Sequence, residues 1–344
     1  MVTCEVTTKK DLILQRMEVF FVLKNIDFYN YDKQLLLLKE KGLLITNDDA
    51  AKKILKNFSY YTIINGYKDL FTNKHTYITG TRIETLYELH WIDLKLSGIL
   101  FKYSLVIEKK LKSSVSYLVS NSFGITESEY LKKERYALQK YNMGKYYQLN
   151  RKFDDIKRND ISAKYYNSEY TSIPPWVIVK GMSFGAIKIW YSILRSPHKQ
   201  LIIQDFNIPN LSMKLDEQLD FFDRILTQVY DYRNCIAHGN RTFSLEVTKN
   251  LKRKHLIDIG ILKYFDKDTQ YSYTDLYSVL ISMFMLIDDE YILQDFLREL
   301  TAFFANYEVG YSFAGKNIYQ VFNLPSDILD RLALYFRDNK LPTE

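Results

Sequence analysis

KLDEQLDFFDRILTQVYDYRNCIAHGNR, residues 214 to 241, is the stretch on which the reading of this chain turns. Leu215, Leu219, Phe222, Leu226 and Val229 recur every three or four residues, the spacing that lines one face of a helix. The next members of that stripe are Arg233 and Ile236. An Arg where a core residue is due is anomalous, because burying a guanidinium is costly unless it meets an anion or partner. Asn234 and His238 are four apart and share a helical face. Arg233 and His238 are five apart, roughly 140° around an ideal helix, and flank that face. Gly239 suits the helix end, which leaves His238 at a C-terminus where the dipole favours positive charge.

The rest of the chain agrees with a helical reading. Its 344 residues hold only twelve Gly and six Pro, so long helices joined by short loops are expected rather than a sandwich or propeller. Apolar residues at 47% and charged residues at 26% exclude a disordered chain and fit a soluble globular protein. The length is enough for a proper core without a disulfide or metal staple. Two widely separated cysteines, Cys4 and Cys235, make neither a disulfide framework nor a zinc site, and point to the cytosol. The first 25 residues carry Arg16, Glu18 and Lys24 within their apolar run, unlike a signal or transit peptide. Nowhere do 18 apolar residues run together, so no membrane partner is expected.

Element signals recur along the chain. Residues 33–44 read as a short apolar helix ending at Gly42, and Asn47 as the cap of the next. Residues 82–119 read as one or two long helices, and Thr126 with Glu129 as a capping box. Pro174 and Pro175 should open a helix from Trp176 to Leu194. Residues 214–238 form the next, Thr274 caps a long helix from 275 to about 307, broken near Asp288, and Pro325-Ser326-Asp327 opens the last. Residues 309–322 read as a small extended piece. The expected class is all-α, divided into an N-terminal extension (1–32), a helical body (33–265) and a C-terminal helical appendage (266–344).

The residues around Arg233 suit RNA cleavage without metal or cofactor. A His near neutrality can take a proton from a ribose 2′-OH or give one to a leaving 5′-oxygen. An Arg can hold the phosphate through its transition state, and Asn234 can orient either group. An Arg followed four to six places later by a His is nevertheless a poor motif alone, and helix packing explains it as well.

The surroundings add to it. RNCIAHGNR (233–241) resembles the Arg-polar-x-x-x-His signature of the HEPN superfamily, and more narrowly the abortive-infection family of AbiD and AbiF type. FSYYTIINGYKDLF (58–71) resembles that family's Tyr-Tyr…Gly-Tyr block, and residues 33–45 its opening helix. YELHWIDLKLSGIL (87–100) and Ile107 to Lys112 resemble its Asp-Arg-x-Leu and Glu…Leu-Arg helices, with Lys95 and Lys112 where Arg is usual. Pro175-Trp176 and Met182 to Gly185 resemble its Trp…Ser-Phe-Gly block. The resemblance covers roughly residues 33–245. It implies a HEPN-type helical bundle, with Arg233, Asn234 and His238 catalytic and two Arg–His motifs meeting in a composite site. This chain has one such motif, so a site of that kind needs a homodimer. The family is associated with phage defence by growth arrest, and some members resemble toxins restrained by a small non-coding RNA. The Tyr expected two places after His in a modified HEPN toxin is Asn240 here.

Residues 131–165 add a basic segment. Ten Lys or Arg, including Lys132, Lys133, Arg135, Lys157 and Arg158, stand against four acids, a net +6 equal to that of the whole chain. Tyr136, Tyr141, Tyr146, Tyr147 and Tyr165 are interleaved, and basic groups with stacking rings hold single-stranded RNA. With Arg241, Lys252 and Arg253 they are the expected RNA contacts. A solvated helix in a Tyr-rich chain explains the segment equally well. Three functions remain open: a metal-independent endoribonuclease, a non-catalytic module that holds a structured small RNA, and a protein–protein defence sensor.

Overall fold

The computed structural model describes residues 27–208, 211–243, 245–265 and 274–340. Cys4, most of the expected N-terminal extension and residues 266–273 lie outside them. The architecture is all-α, and the β-structure among the described residues is a two-residue ladder, Thr72–Asn73 with Thr76–Tyr77, plus isolated bridges. We number the main helices α1 (Tyr31–Glu40), α2 (Asp48–Tyr60), α3 (Gly66–Phe71), α4 (Ile83–Phe123), α5 (Met143–Asn159), α6 (Ile161–Glu169), α7 (Phe184–Ile193), α8 (Ser196–Asp205), α9 (Leu215–Ala237), α10 (Leu276–Leu286), α11 (Glu290–Glu308) and α12 (Ile328–Lys340).

The spine is α4. Its 41 residues give a rod of about 60 Å at 1.5 Å per residue. Leu89, Leu96, Leu100, Ile107, Leu111 and Val115 repeat at helical spacing and are all buried. The rod ends at Gly124, whose φ of +108° and close neighbour Glu129 leave no room for a side chain. The expected capping box follows: Glu129 accepts from the Thr126 amide at 3.1 Å and from its hydroxyl at 2.8 Å.

The central partner of α4 is α9, and α10 is buried along all eleven of its residues against α9. Ser282 donates to Gln228 at 2.7 Å across that contact, satisfying two fully buried polar groups. On the other side α11 packs on α4. Tyr103 stacks on Phe296 at 4.1 Å, and Lys102 bridges Asp295 and Glu299. The helices after residue 274 therefore share one hydrophobic cluster with α4 and α9.

Three expected elements differ from the structure, the first being the extended piece expected at 309–322, which is a single bridge between Phe313 and Lys316 followed by a short helix, Ile318–Val321. The helix expected from Trp176 to Leu194 is broken into Pro175–Ile178, a 3₁₀ turn at Val179–Gly181, and α7. At the break Gly181 lies so close to Ile156 of α5 that a side chain would clash, and Ser183 then caps α7 by accepting from the Ala186 amide. At α10 the cap is Asp275 rather than Thr274, accepting from the Ser278 amide.

Burial pushes the Asp275 carboxyl up to about 6 from its ordinary 3.8. A carboxyl raised in the folded state favours folding fully below its unfolded value, and that contribution is lost as pH rises through about 6. Asn at this position keeps an acceptor for Ser278 and removes the titration. The urea midpoint of Asp275→Asn should therefore change less between pH 5 and pH 7 than that of the wild type. Parallel profiles would contradict this.

Candidate active site

Arg233 lies on α9 where the apolar stripe predicted a core residue, and it is buried enough to need a partner: its side chain is 23% exposed. The partner is Glu108 of α4, 7% exposed, with Arg233 Nη2 at 3.5 Å from Oε2. Lys112 Nζ holds the other oxygen at 2.8 Å. The guanidinium also lies over the Phe101 ring at 5.4 Å and donates from Nη1 to Asn234 Oδ1 at 3.1 Å. Its Nε is buried and makes no hydrogen bond among the described residues. Glu108 thus balances the guanidinium charge from 3.5 Å without a hydrogen bond, and the bond to Asn234 and the Phe101 ring hold the group in place.

The imidazole of His238 stands at the exposed end of the same helix. Its backbone amide closes α9 onto the Asn234 and Cys235 carbonyls, and Gly239, at φ +75°, turns the chain away. The ring makes no side-chain hydrogen bond among the described residues and is open to solvent. Arg233 is therefore held and His238 presented, with Asn234 between them on the helix.

The loop after His238 is anchored from inside the core. Asp93 of α4, 4% exposed, accepts from the Thr242 amide at 3.0 Å, from the Thr242 hydroxyl, and from the Tyr67 hydroxyl at 2.9 Å. Tyr67 Oη also lies 3.1 Å from His90 Nδ1, and Tyr232 donates to the Thr242 carbonyl at 2.6 Å. Burial pushes the Asp93 carboxyl up, and the Thr242 and Tyr67 donors and the nearby charge of Arg241 pull it back. Burial lowers His90, which keeps that imidazole neutral in the core.

The expected RNA contacts fall into two groups. Lys132, Lys133, Arg135 and Arg158 are exposed, with Lys133 beside the Tyr147 ring at 5.1 Å. Lys157 is engaged by Glu127, and Lys252 by Asp220 at 2.7 Å. Lys249 and Lys254 likewise meet Asp223 and Glu217, so that cluster neutralises the acidic first half of α9. Arg253 opens the short helix Arg253–Asp258. Arg241 lies over Phe243 at 5.4 Å, on a cleft that Asp69, Glu246 and Asp275 also line. Of the tyrosines expected to stack, Tyr136 and Tyr146 are buried, whereas Tyr141, Tyr147 and Tyr165 are exposed. Among the described residues no three His, Cys, Asp or Glu are grouped to hold a metal.

A family model described as Abi-like protein matches residues 53–244, more than half of the chain. The chain belongs to the Abi-like protein family. The match runs from α2 to just beyond Thr242, so it contains Tyr67, Asp93, Glu108, Arg233 and His238, and it ends before the helices α10 to α12. No curated protein and no solved structure matches the chain. No helix among the described residues is long and apolar enough to cross a membrane.

Glu108 and Asp93 of this Abi-like chain were missed as site residues from sequence. Each is a carboxylate placed in the buried stripe of α4, the same anomaly that singled out Arg233. Replacing Thr242 by Val should cost about 1–3 kcal/mol, because Asp93 loses a donor it cannot replace from solvent. Thr242→Ser, which keeps the hydroxyl, should cost much less. Urea denaturation of both variants checks this, and equal stabilities would contradict the role given to the Asp93–Thr242 contact.

Proposed function

We propose that this Abi-like chain is an abortive-infection endoribonuclease of HEPN type, acting in phage defence through Arg233 and His238. The observation that carries the reading is the pairing of a held Arg with a free His at one helix end. His238 removes the proton of a ribose 2′-OH as that oxygen attacks the adjacent phosphorus. The bond from phosphorus to the 5′-oxygen breaks, and a second imidazole, from another copy of the chain, protonates the leaving oxygen. Arg233 stabilises the charge on the phosphorane, with Asn234 and the Phe101 ring orienting its guanidinium. The products are a 2′,3′-cyclic phosphate and a 5′-hydroxyl, and all electrons are accounted for without an added metal. The requirement for two such pairs makes the active species a homodimer.

The protein should cut single-stranded RNA in the presence of EDTA. His238→Ala should lower the rate by about 10²–10⁴ and Arg233→Ala by a similar factor, with the fold intact by circular dichroism. Cleavage by His238→Ala at the wild-type rate would end the nuclease reading. Tight binding of one structured RNA without turnover would favour a module that only holds RNA. Light scattering of the active protein should give a dimer, and full activity in a strict monomer would rule out the composite site.

A further inference from the structure

A cleft of 420 Å³ lies between α5, α7 and α9, away from the Arg233–Glu108 contact. Four lysines line it, Lys145, Lys152, Lys188 and Lys249, against one carboxylate, Asp223. That carboxylate is already paired with Lys249, and Lys152 reaches Asp155 at 4.0 Å. Among the described residues Lys145 and Lys188 have no carboxylate partner; Lys188 lies over the Tyr230 ring at 5.0 Å. The nearby Asp231 is occupied by the Thr248 amide and hydroxyl. Burial lowers the Lys188 pKa, Asp223 and Asp231 oppose this, and Lys249 and Lys145 add to it. The cleft is thus crowded with positive charge and short of anions.

Its floor carries further donors. Ser183 and Gly185 belong to the start of α7, whose first turn contains no acid; the Ala186 amide is taken by the Ser183 hydroxyl, which leaves those of Phe184 and Gly185 without an acceptor within the helix. Gly185 lets the two helices approach closely there: a Cβ would stand 3.0 Å from the Tyr230 hydroxyl. That hydroxyl makes no hydrogen bond among the described residues and adds a donor beside the amides. Lysines, free amides and a hydroxyl converging on one concave space are the groups that bind phosphate.

We propose that this cleft is a phosphate-binding subsite that takes a phosphodiester of the RNA strand cut at Arg233 and His238. Tyr230 precedes His238 by eight residues on α9, an axial separation of about 12 Å at the helical rise, so the subsite sets where the strand crosses the cleaving groups. The assignment rests on the ribonuclease reading for the source of the phosphate, whereas the site itself rests on the lysines and α7.

The test uses the full chain carrying His238→Ala, so that RNA survives, with and without Lys145→Gln and Lys188→Gln. Probes are a single-stranded oligoribonucleotide over a range of salt and inorganic pyrophosphate by calorimetry. The double substitution should weaken RNA binding at least tenfold and reduce the log–log salt slope by about 1.4, two contacts at 0.7 each. It should also abolish pyrophosphate binding. Unchanged RNA affinity and slope, with RNA still bound, overturn the subsite and leave the ribonuclease reading standing. Pyrophosphate binding that depends on the two lysines, with no RNA binding by the parent, keeps the phosphate site and removes the RNA reading. Where the Lys188 change unfolds the chain, Lys145→Gln with Lys152→Gln, both exposed, takes its place with the same readouts.

Discussion

Asp93 sits inside the core with donors from Thr242 and Tyr67 aimed at it, and the arrangement of the site follows from that contact. A carboxylate enclosed in a helix rod is stable only if its oxygens are satisfied, and here much of the satisfaction comes from a loop 149 residues away in sequence. The same bonds fix the chain four residues after His238. Three segments of the family match meet at this point: the 58–71 block through Tyr67, the α4 block through His90 and Asp93, and the loop after α9 through Thr242. Weakening the contact frees the loop that turns the chain away from the helix end bearing the imidazole.

The Arg233–Glu108 pair repeats the same logic about 22 Å further along α4, at 1.5 Å per residue. Two charges are taken largely out of water, and Lys112 and the Phe101 ring help to offset the cost. A partly satisfied pair of this kind is a weak source of stability and a good way to hold a guanidinium ready for a further anion. Charge elsewhere is divided along α9. Its acidic first half is neutralised by Lys249, Lys252 and Lys254, while α5 keeps most of its basic groups exposed.

Much of this was legible from local pattern. The stripe on 214–238 placed α9 at Leu215–Ala237, the apolar run from 82 placed α4, and the Thr126–Glu129 box is present as read. What escaped was set by contacts between distant segments. At the break before α7, Gly181 comes up against Ile156, a close approach between segments that no short window of sequence contains. Lys252 looked free because its acid, Asp220, lies 32 residues earlier. Tyr136 and Tyr146 looked like stacking rings, yet their hydroxyls bond backbone carbonyls inside the core. Asp93 and Glu108 were readable in principle, as charges inside an apolar stripe, by the argument that found Arg233.

The central chemical claim is that the nucleophile is the substrate's own 2′-oxygen, not a water molecule. The most direct measurement is cleavage in a chelator of an oligoribonucleotide carrying one 2′-deoxy sugar on the 5′ side of the scissile phosphate. The account predicts that this strand is bound as well as its all-ribose counterpart and is not cut at that phosphate. Cleavage there at the all-ribose rate would contradict it.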